Sequence, residues 1–262
     1  MITSVEHLNV SQAADRSLQH FGFQHASYAV RLASTRDEVQ DALRLRFQVF
    51  NLELQEGLES AFASGYDSDE FDSVCDHLIV EHLPTKSVVG TYRLQTGIVA
   101  AKNLGYYSER EFDFSPYEKL RPELVELGRA CIHRDHRSTD VLYLLWRGIA
   151  QYALARRARY LIGCSSLTSQ DPARGNAVYH RIHDWQVEDV LRTNPHASFR
   201  VSPSKSIQAE DSVPKLLRTY LAIGARICGP PGIDRDFKTI DFLTLLDLEH
   251  LHPRIRRRFL GG

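Results

Sequence analysis

The sequence predicts an α/β fold, a mixed sheet with helices on both faces, and three observations carry that prediction. His77 to Leu83 and Val88 to Gln95 are β-rich runs on either side of Pro84-Thr85-Lys86-Ser87, the pattern of an antiparallel hairpin. Strand and helix patterns then alternate, from a strand at Val125 to His133, through a helix, to a strand at Tyr160 to Cys164. Finally, 262 residues at 43% hydrophobic and 25% charged are enough for one enlarged domain with a real core.

Each element has a local reason. Tyr28-Ala-Val-Arg-Leu32 alternates as a first strand, and Thr35-x-x-Glu38 is a capping box opening a helix through Val39, Ala42, Leu43, Arg46 and Phe47. Gln55 to Asp72 is rich in Glu, Asp, Ser and Gly without apolar period, so it is expected to be a long excursion over the surface. After the hairpin and the Val125 strand comes the polar loop Arg134-Asp-His-Arg-Ser-Thr139. Val141, Leu144, Leu145, Gly148, Ile149 and Tyr152 then form one helical stripe, capped near Thr139 or Asp140. Asp171-Pro172 is an N-cap and first-turn pair for the next helix, and Pro214 starts another through Leu217, Tyr220 and Leu221. Ile240 to Leu246 is the last strand, and an Arg-rich segment closes the chain.

Composition excludes several functions. Thirty-two Lys and Arg against 33 Asp and Glu create no global field, so nucleic acid is not an expected partner. No apolar run approaches the roughly 20 residues of a membrane helix, and the N-terminal residues lack the basic and apolar regions of a signal peptide, which points to the cytoplasm. The four cysteines contain no Cys-x-x-Cys pair and are expected as reduced thiols. His133 and His136 have no third ligand at a credible spacing, so no metal and no bound cofactor is expected.

Four segments read together resemble a known pattern: Arg46-x-x-x-Phe50, Asp67-x-Asp69-Glu-Phe-Asp72, Val89-Gly-Thr-Tyr-Arg93-Leu94 and Glu126-Leu-Gly-Arg129. The pattern is that of the GNAT branch containing the bacterial acyl-homoserine-lactone synthases and the ornithine N-alpha-acyltransferases of ornithine-lipid biosynthesis. Agreement with the ornithine type is fuller, through Cys75-Asp-His77-Leu, Leu145-Trp-Arg-Gly148 and Gly224-Ala225-x5-Pro231-Gly-Ile-Asp234-x2-Phe237-x3-Asp241. The resemblance covers residues 28–250, leaving an N-terminal appendage, 1–27, and a basic tail, 251–262. It implies a sheet split in a V between the Val125 and Tyr160 strands, where the 4'-phosphopantetheine arm of an acyl thioester lies. It also implies attack of an amino acid's amine on an acyl-carrier-protein thioester, with acyl-carrier protein as partner and donor substrate.

The residue roles follow from that resemblance. An α-amine titrates near pH 8, so attack needs a base, and Glu126 on the central strand is the candidate, with an ion pair to Arg129 as the competing structural role. Arg129 and Arg93 complete the catalytic set, each able to offer a fork of donors to a carboxylate or to a thioester carbonyl gaining charge. Asp67, Asp69 and Asp72 would attract a dicationic acceptor such as ornithine, while Arg46 and Phe50, one helical turn apart, would line a wall of the acceptor site. On the donor side stand His133, Arg137, Ser138, Cys164 and Ser165. Arg137-Ser-Thr-Asp140-Val-Leu lacks the glycines that cradle a pyrophosphate in acyl-CoA enzymes, which suits a carrier-protein phosphodiester met by Arg137 and the helix amino end. No nucleophile elbow surrounds Cys164-Ser165-Ser166, and direct amine attack requires none. The Arg254 to Arg258 run offers a peripheral contact with anionic membrane lipid or with the acidic carrier protein. The rival functions are an acyl-homoserine-lactone synthase binding S-adenosylmethionine, disfavoured because Asn51 to Tyr66 holds no Trp, another N-acyl amino acid synthase, and a non-catalytic acyl or carrier-protein binding module.

Overall fold

Nine strands and seven helices are seen in the computed structural model, which describes residues 22–203 and 212–259. Their contacts divide into two compact units. The first comprises the described residues of Met1–Gln95 together with Val99–Leu104 and Leu127–Arg157, and the second comprises Thr96–Ile98, Gly105–Glu126 and the described residues of Ala158–Gly262.

The first unit opens with β1 (Phe23–His25) and β2 (Tyr28–Leu32), an antiparallel pair in which Phe23 faces Val30. β1 lies inside the stretch set aside as an appendage; residues 1–21 of that stretch are outside the described residues. Three residues are too few to show a period of two, which is why the strand left no pattern. α1 (Arg36–Phe47) begins as the capping box requires, with Thr35 Oγ1 accepting from Glu38 N–H at 3.3 Å and Glu38 Oε2 accepting from Thr35 N–H at 3.2 Å. It does not stop at Phe47 but widens into a π-helical turn, Gln48–Glu53, that buries Val49, Phe50 and Asn51. α2 (Ala61–Ser64) is a single turn. β3 (Asp76–His82) pairs antiparallel with β2 and with β4 (Ser87–Thr96), so the hairpin forms as expected, with Lys86 at a left-handed φ of 58° in its turn. α3 (Gly97–Lys102) leads away from β4, and β5 (Leu124–Ile132) covers the expected central strand.

α4 (Thr139–Ala155) packs on β1, β2 and β3, and its N-cap is Ser138, whose Oγ accepts from Val141 N–H at 3.4 Å. The cap therefore falls one residue before Thr139. Gly148 on its buried stripe is a close-approach glycine: a Cβ there would sit 2.9 Å from Leu78 Cδ1 and 3.0 Å from Val30 Cγ2, both on fully buried side chains. Gly148→Val is accordingly expected to lower the unfolding free energy by about 3 kcal/mol through overpacking. Helix propensity alone would make the same change slightly stabilising. Urea denaturation distinguishes the two by sign.

In the second unit, Leu124, Val125 and Glu126 of β5 pair parallel with Tyr160, Leu161 and Ile162 of β6 (Tyr160–Leu167). Glu126 is the last residue of that ladder, so pairing ends there as a split sheet requires. α5 (Pro172–Arg181) is capped by Asp171, which accepts from Ala173 N–H at 2.9 Å, and α6 (Lys215–Ile223) follows Pro214. β7 (Arg226–Ile227), β8 (Gly232–Asp234) and β6 all pair antiparallel with β9 (Thr239–Asp247). Leu167, Val178, Ile182, Leu217, Leu221, Ile233, Ile240 and Phe242 form the core beneath α5 and α6. The basic segment is not an extended tail: Arg254, Arg256, Arg257 and Arg258 stand exposed on α7 (Pro253–Phe259), with residues 260–262 outside the described residues. Among the described residues no helix is long and apolar enough to cross a membrane.

Candidate functional site

The acidic segment expected over the surface folds inward. Phe71 and Asp67 are fully buried and Asp72 nearly so. Asp69 starts a short 3₁₀ turn by accepting from Phe71 N–H at 2.9 Å, while its own N–H donates to Asp72 Oδ2 at 2.9 Å. This turn presents the carboxylates to three arginines of the first unit. Arg46 on α1 donates from Nε to Asp67 Oδ1 and from Nη1 to Asp72 Oδ1, both at 2.7 Å. Arg93 on β4 donates from Nη1 to Asp69 Oδ1 at 2.6 Å and to Asp72 Oδ1 at 3.1 Å. Arg129 on β5 donates from Nη2 to Asp69 Oδ2 at 2.8 Å and has its Nε 3.4 Å from Asp67 Oδ1.

Three carboxylates thus face three guanidiniums. Burial raises the cost of ionising Asp72, but Arg46 and Arg93 beside it hold its carboxyl well below the usual carboxylate range. Asp69, next to Arg93 and Arg129, is also lowered against the effect of burial. His77, whose Nε2 lies 3.2 Å from the Asp72 carbonyl oxygen, is pushed down, chiefly by burial and against the pull of Asp72. The Asp67, Asp69 and Asp72 carboxylates are thus paired inside the protein, and Arg93 and Arg129 make the ion pairs with the acidic motif that compete with a direct role on the substrate. Phe50 is buried within the π-helical turn, as a core residue would be.

Arg129 has a left-handed φ of 51°. A non-glycine residue in that region costs about 1–3 kcal/mol and breaks the alternation of a strand. The pairs to Asp69 and Asp67 hold it there.

Glu126 belongs to the second unit, where it is 6% exposed. Its Oε1 accepts from Ser108 N–H at 2.7 Å and its Oε2 from Tyr107 N–H at 2.8 Å, at the start of a 3₁₀ turn over Ser108–Arg110. Two main-chain donors, one per oxygen, fix the carboxylate's orientation. Cys164 on β6 donates from Sγ to Ser108 Oγ at 3.5 Å, and burial pushes its thiol well above the usual range, so it is not an activated nucleophile. Ser165, its neighbour, points to the other face of the strand and is buried.

The remaining donor-side candidates lie in the first unit. His133 lines a cavity of about 290 Å³ with Gln48, Val49, Leu52, Glu53 and Arg134, and its Nδ1 accepts from Asp135 N–H at 3.3 Å. Arg137 forks onto Glu53, at 2.6 Å from Nη1 and 2.8 Å from Nη2, and also donates to the Ile132 carbonyl. The guanidinium expected to await a phosphate therefore has a carboxylate partner already. Ser138 caps α4.

Sequence reasoning missed the groups that anchor Glu126, because backbone amides of Tyr107 and Ser108 leave no side-chain signature. Asp241 closes the late motif with no role attached to it, and Glu111 lies in none of the motifs.

Comparisons with known proteins bear on this geometry. A GNAT acetyltransferase domain family matches residues 45–147. An L-ornithine N(alpha)-acyltransferase of Brucella abortus is 35% identical over 248 residues, 87% of each chain. One from Rhodobacter capsulatus is 30% identical, covering 88% of this chain and 93% of its own. Among solved structures, FeeM, an N-acyl amino acid synthase from uncultured soil microbes, superposes with a TM-score of 0.52 at 11% identity over 86% of this chain and 93% of its own. The acyl-homoserine-lactone synthase LasI gives 0.51 at 12% over 91% and 97%. At those identities the structures show a shared fold.

Proposed function

The chain belongs to the L-ornithine N-alpha-acyltransferase family, and from that premise we propose that it transfers a fatty or 3-hydroxyfatty acyl group from acyl-carrier protein to the α-amine of ornithine. The observation that carries this reading is Glu126, the last paired residue of the β5–β6 ladder, held by two backbone N–H groups. A carboxylate so placed meets the requirement of the reaction: the acceptor arrives as an ammonium and must lose a proton before its nitrogen attacks.

In the proposed reaction Glu126 takes that proton as the amine nitrogen bonds to the thioester carbon. The tetrahedral intermediate collapses by breaking the C–S bond. The pantetheine sulfur leaves as thiolate and takes up the second proton that the nitrogen sheds on becoming an amide, giving the N-acyl amino acid and free carrier thiol, while Glu126 passes the first proton to solvent. Arg46, Arg93 and Arg129 act as positioning residues, because their guanidiniums set the Asp69–Asp72 turn and the course of β5. The His133-lined cavity supports placing the donor at the carboxyl end of β5. The exposed arginines of α7 support a peripheral contact with anionic lipid, which would bring an amphiphilic product to its destination.

The test is a product assay with purified protein. Plain and 3-hydroxyacyl carrier proteins and the matching acyl-CoAs are each offered with ornithine, glycine, tyrosine and S-adenosylmethionine, and products are identified by mass spectrometry. An acyl-ornithine formed preferentially from the carrier-protein donor is the expected result. An acyl-homoserine lactone, or an acyl-CoA preference, contradicts the acceptor or the donor respectively.

A further inference from the structure

The Asp67, Asp69 and Asp72 carboxylates are already paired with arginines, and the second unit contains another group of acids. Glu111, Cys164 and Asp241 bring a carboxylate oxygen, Sγ and a carboxylate oxygen within 4.8 Å of one another. Glu111 is 1% and Asp241 3% exposed. Asp241 Oδ2 accepts from Thr239 Oγ1 at 3.3 Å, but its Oδ1 is buried with no hydrogen-bond partner among the described residues. Nor does any described Lys or Arg form an ion pair with Asp241. An orphaned carboxylate oxygen at such depth is costly unless something donates to it.

The surroundings add more negative charge. Asp234 lies close enough to influence Asp241, and its oxygens accept from Tyr107 O–H at 3.2 Å and from the Asp236 and Phe237 N–H groups. Burial first, then Asp234, pushes the Asp241 carboxyl up to about 6, against the opposing effect of the nearby Ser166, Thr239 and Glu111 side chains. Cys164 Sγ, a member of the group, is also 3.5 Å from Ser108 Oγ, and Ser108 N–H binds Glu126. The acids are therefore one Cys–Ser link away from the proposed base.

We propose that Asp241, with Glu111, receives the side-chain ammonium of a diamino acid acceptor and so sets the enzyme's preference for ornithine over neutral amino acids. The proposal rests on the reading that the chain acylates the α-amine of ornithine. The ammonium offers three donors, one of which satisfies Asp241 Oδ1.

The experiment compares the unmodified enzyme with Asp241→Asn and Glu111→Gln, each with ornithine and with norvaline, which has the same carbon chain but no second nitrogen. The unmodified enzyme is expected to favour ornithine, and Asp241→Asn to lower kcat/KM for ornithine roughly 100-fold, the size of losing one partner of a buried charge pair. Its kcat/KM for norvaline should be unchanged or raised. Glu111→Gln supplies a second reading of the same shift if Asp241→Asn does not fold, as checked by circular dichroism. Equal losses on both acceptors, or an intact ornithine preference in a folded variant, overturn the proposal while leaving the acyltransferase reading in place. Absence of acyl-ornithine from the unmodified enzyme overturns both.

Discussion

Glu126→Gln is expected to lower kcat by roughly 10²- to 10⁴-fold, the usual contribution of a general base, with the ornithine KM changed far less. The amide is isosteric but cannot accept a proton at neutral pH, so chemistry is lost while shape is kept. It also carries two N–H donors of its own. Because Oε1 and Oε2 each face a backbone N–H, from Ser108 and Tyr107, the amide nitrogen must oppose one of them. That mismatch predicts a stability loss of about 1–3 kcal/mol, which thermal unfolding measures separately from activity. Steady-state kinetics with a carrier-protein donor, at a temperature where the variant is fully folded, is the check. A kcat within threefold of the unmodified enzyme would remove Glu126 from the reaction and favour a relay through other groups.

Arg46→Ala is expected to have the largest effect on stability, about 3–5 kcal/mol, because it strips the shared partner from two buried carboxylates. Arg46 is 1% exposed and bonds Asp67 and Asp72 at once, through Nε to one and both Nη to the other. Arg46→Lys should not restore stability, since a single ammonium cannot reproduce a planar fork that spans two acids. Urea denaturation of both variants is the measurement; a loss under 1 kcal/mol for Arg46→Ala would mean that the network contributes little. The network has a pH signature as well. Asp72 has a folded-state carboxyl held below its unfolded value of about 3.9. Its contribution is therefore fully present above that value and is lost as pH falls towards the lower, folded-state value. Stability measured from pH 6 down to pH 2 should accordingly fall less steeply in Asp72→Asn than in the unmodified protein.

Much of the fold could be read from local pattern. The Thr35–Glu38 capping box, the β3–β4 hairpin, the α4 stripe and the Asp171-Pro172 start of α5 are signals contained within a few residues, and each element stands where its signal falls. Short elements such as β1, β7 and β8 carry too few residues for a period and exist through pairing with longer strands. The Gln55–Asp72 segment shows why charge is a poor guide to exposure. Its composition reads as solvated and Gln55, Glu59 and Glu70 are indeed exposed, yet Asp67 and Asp72 are buried and the acidic turn's partners are remote: Arg46 is 21 residues from Asp67, and Arg129 is 60 from Asp69. Local composition registers the acid and not the guanidinium it meets in the fold.

The candidate site was legible to the same degree. Glu126 and the arginine motifs are named through the resemblance; the fold adds that Glu126 is buried and that Arg46, Arg93 and Arg129 meet the acidic turn. What each group does there was less legible, because function depends on which bonds are already made. Arg137 looks like a free cation beside a helix amino end until Glu53 is seen on its fork. Asp241 looks like any strand aspartate until its Oδ1 is found without a donor.

The measurement that most directly tests the account is single-turnover transfer from 3-hydroxyacyl carrier protein to ornithine labelled with ¹⁵N at the α-position, read by fragmentation mass spectrometry. The account predicts one amide per carrier thiol released, with the acyl group on the labelled nitrogen and the side-chain amine free. Acylation of the unlabelled side-chain nitrogen, or thiol release without any amide, would contradict it.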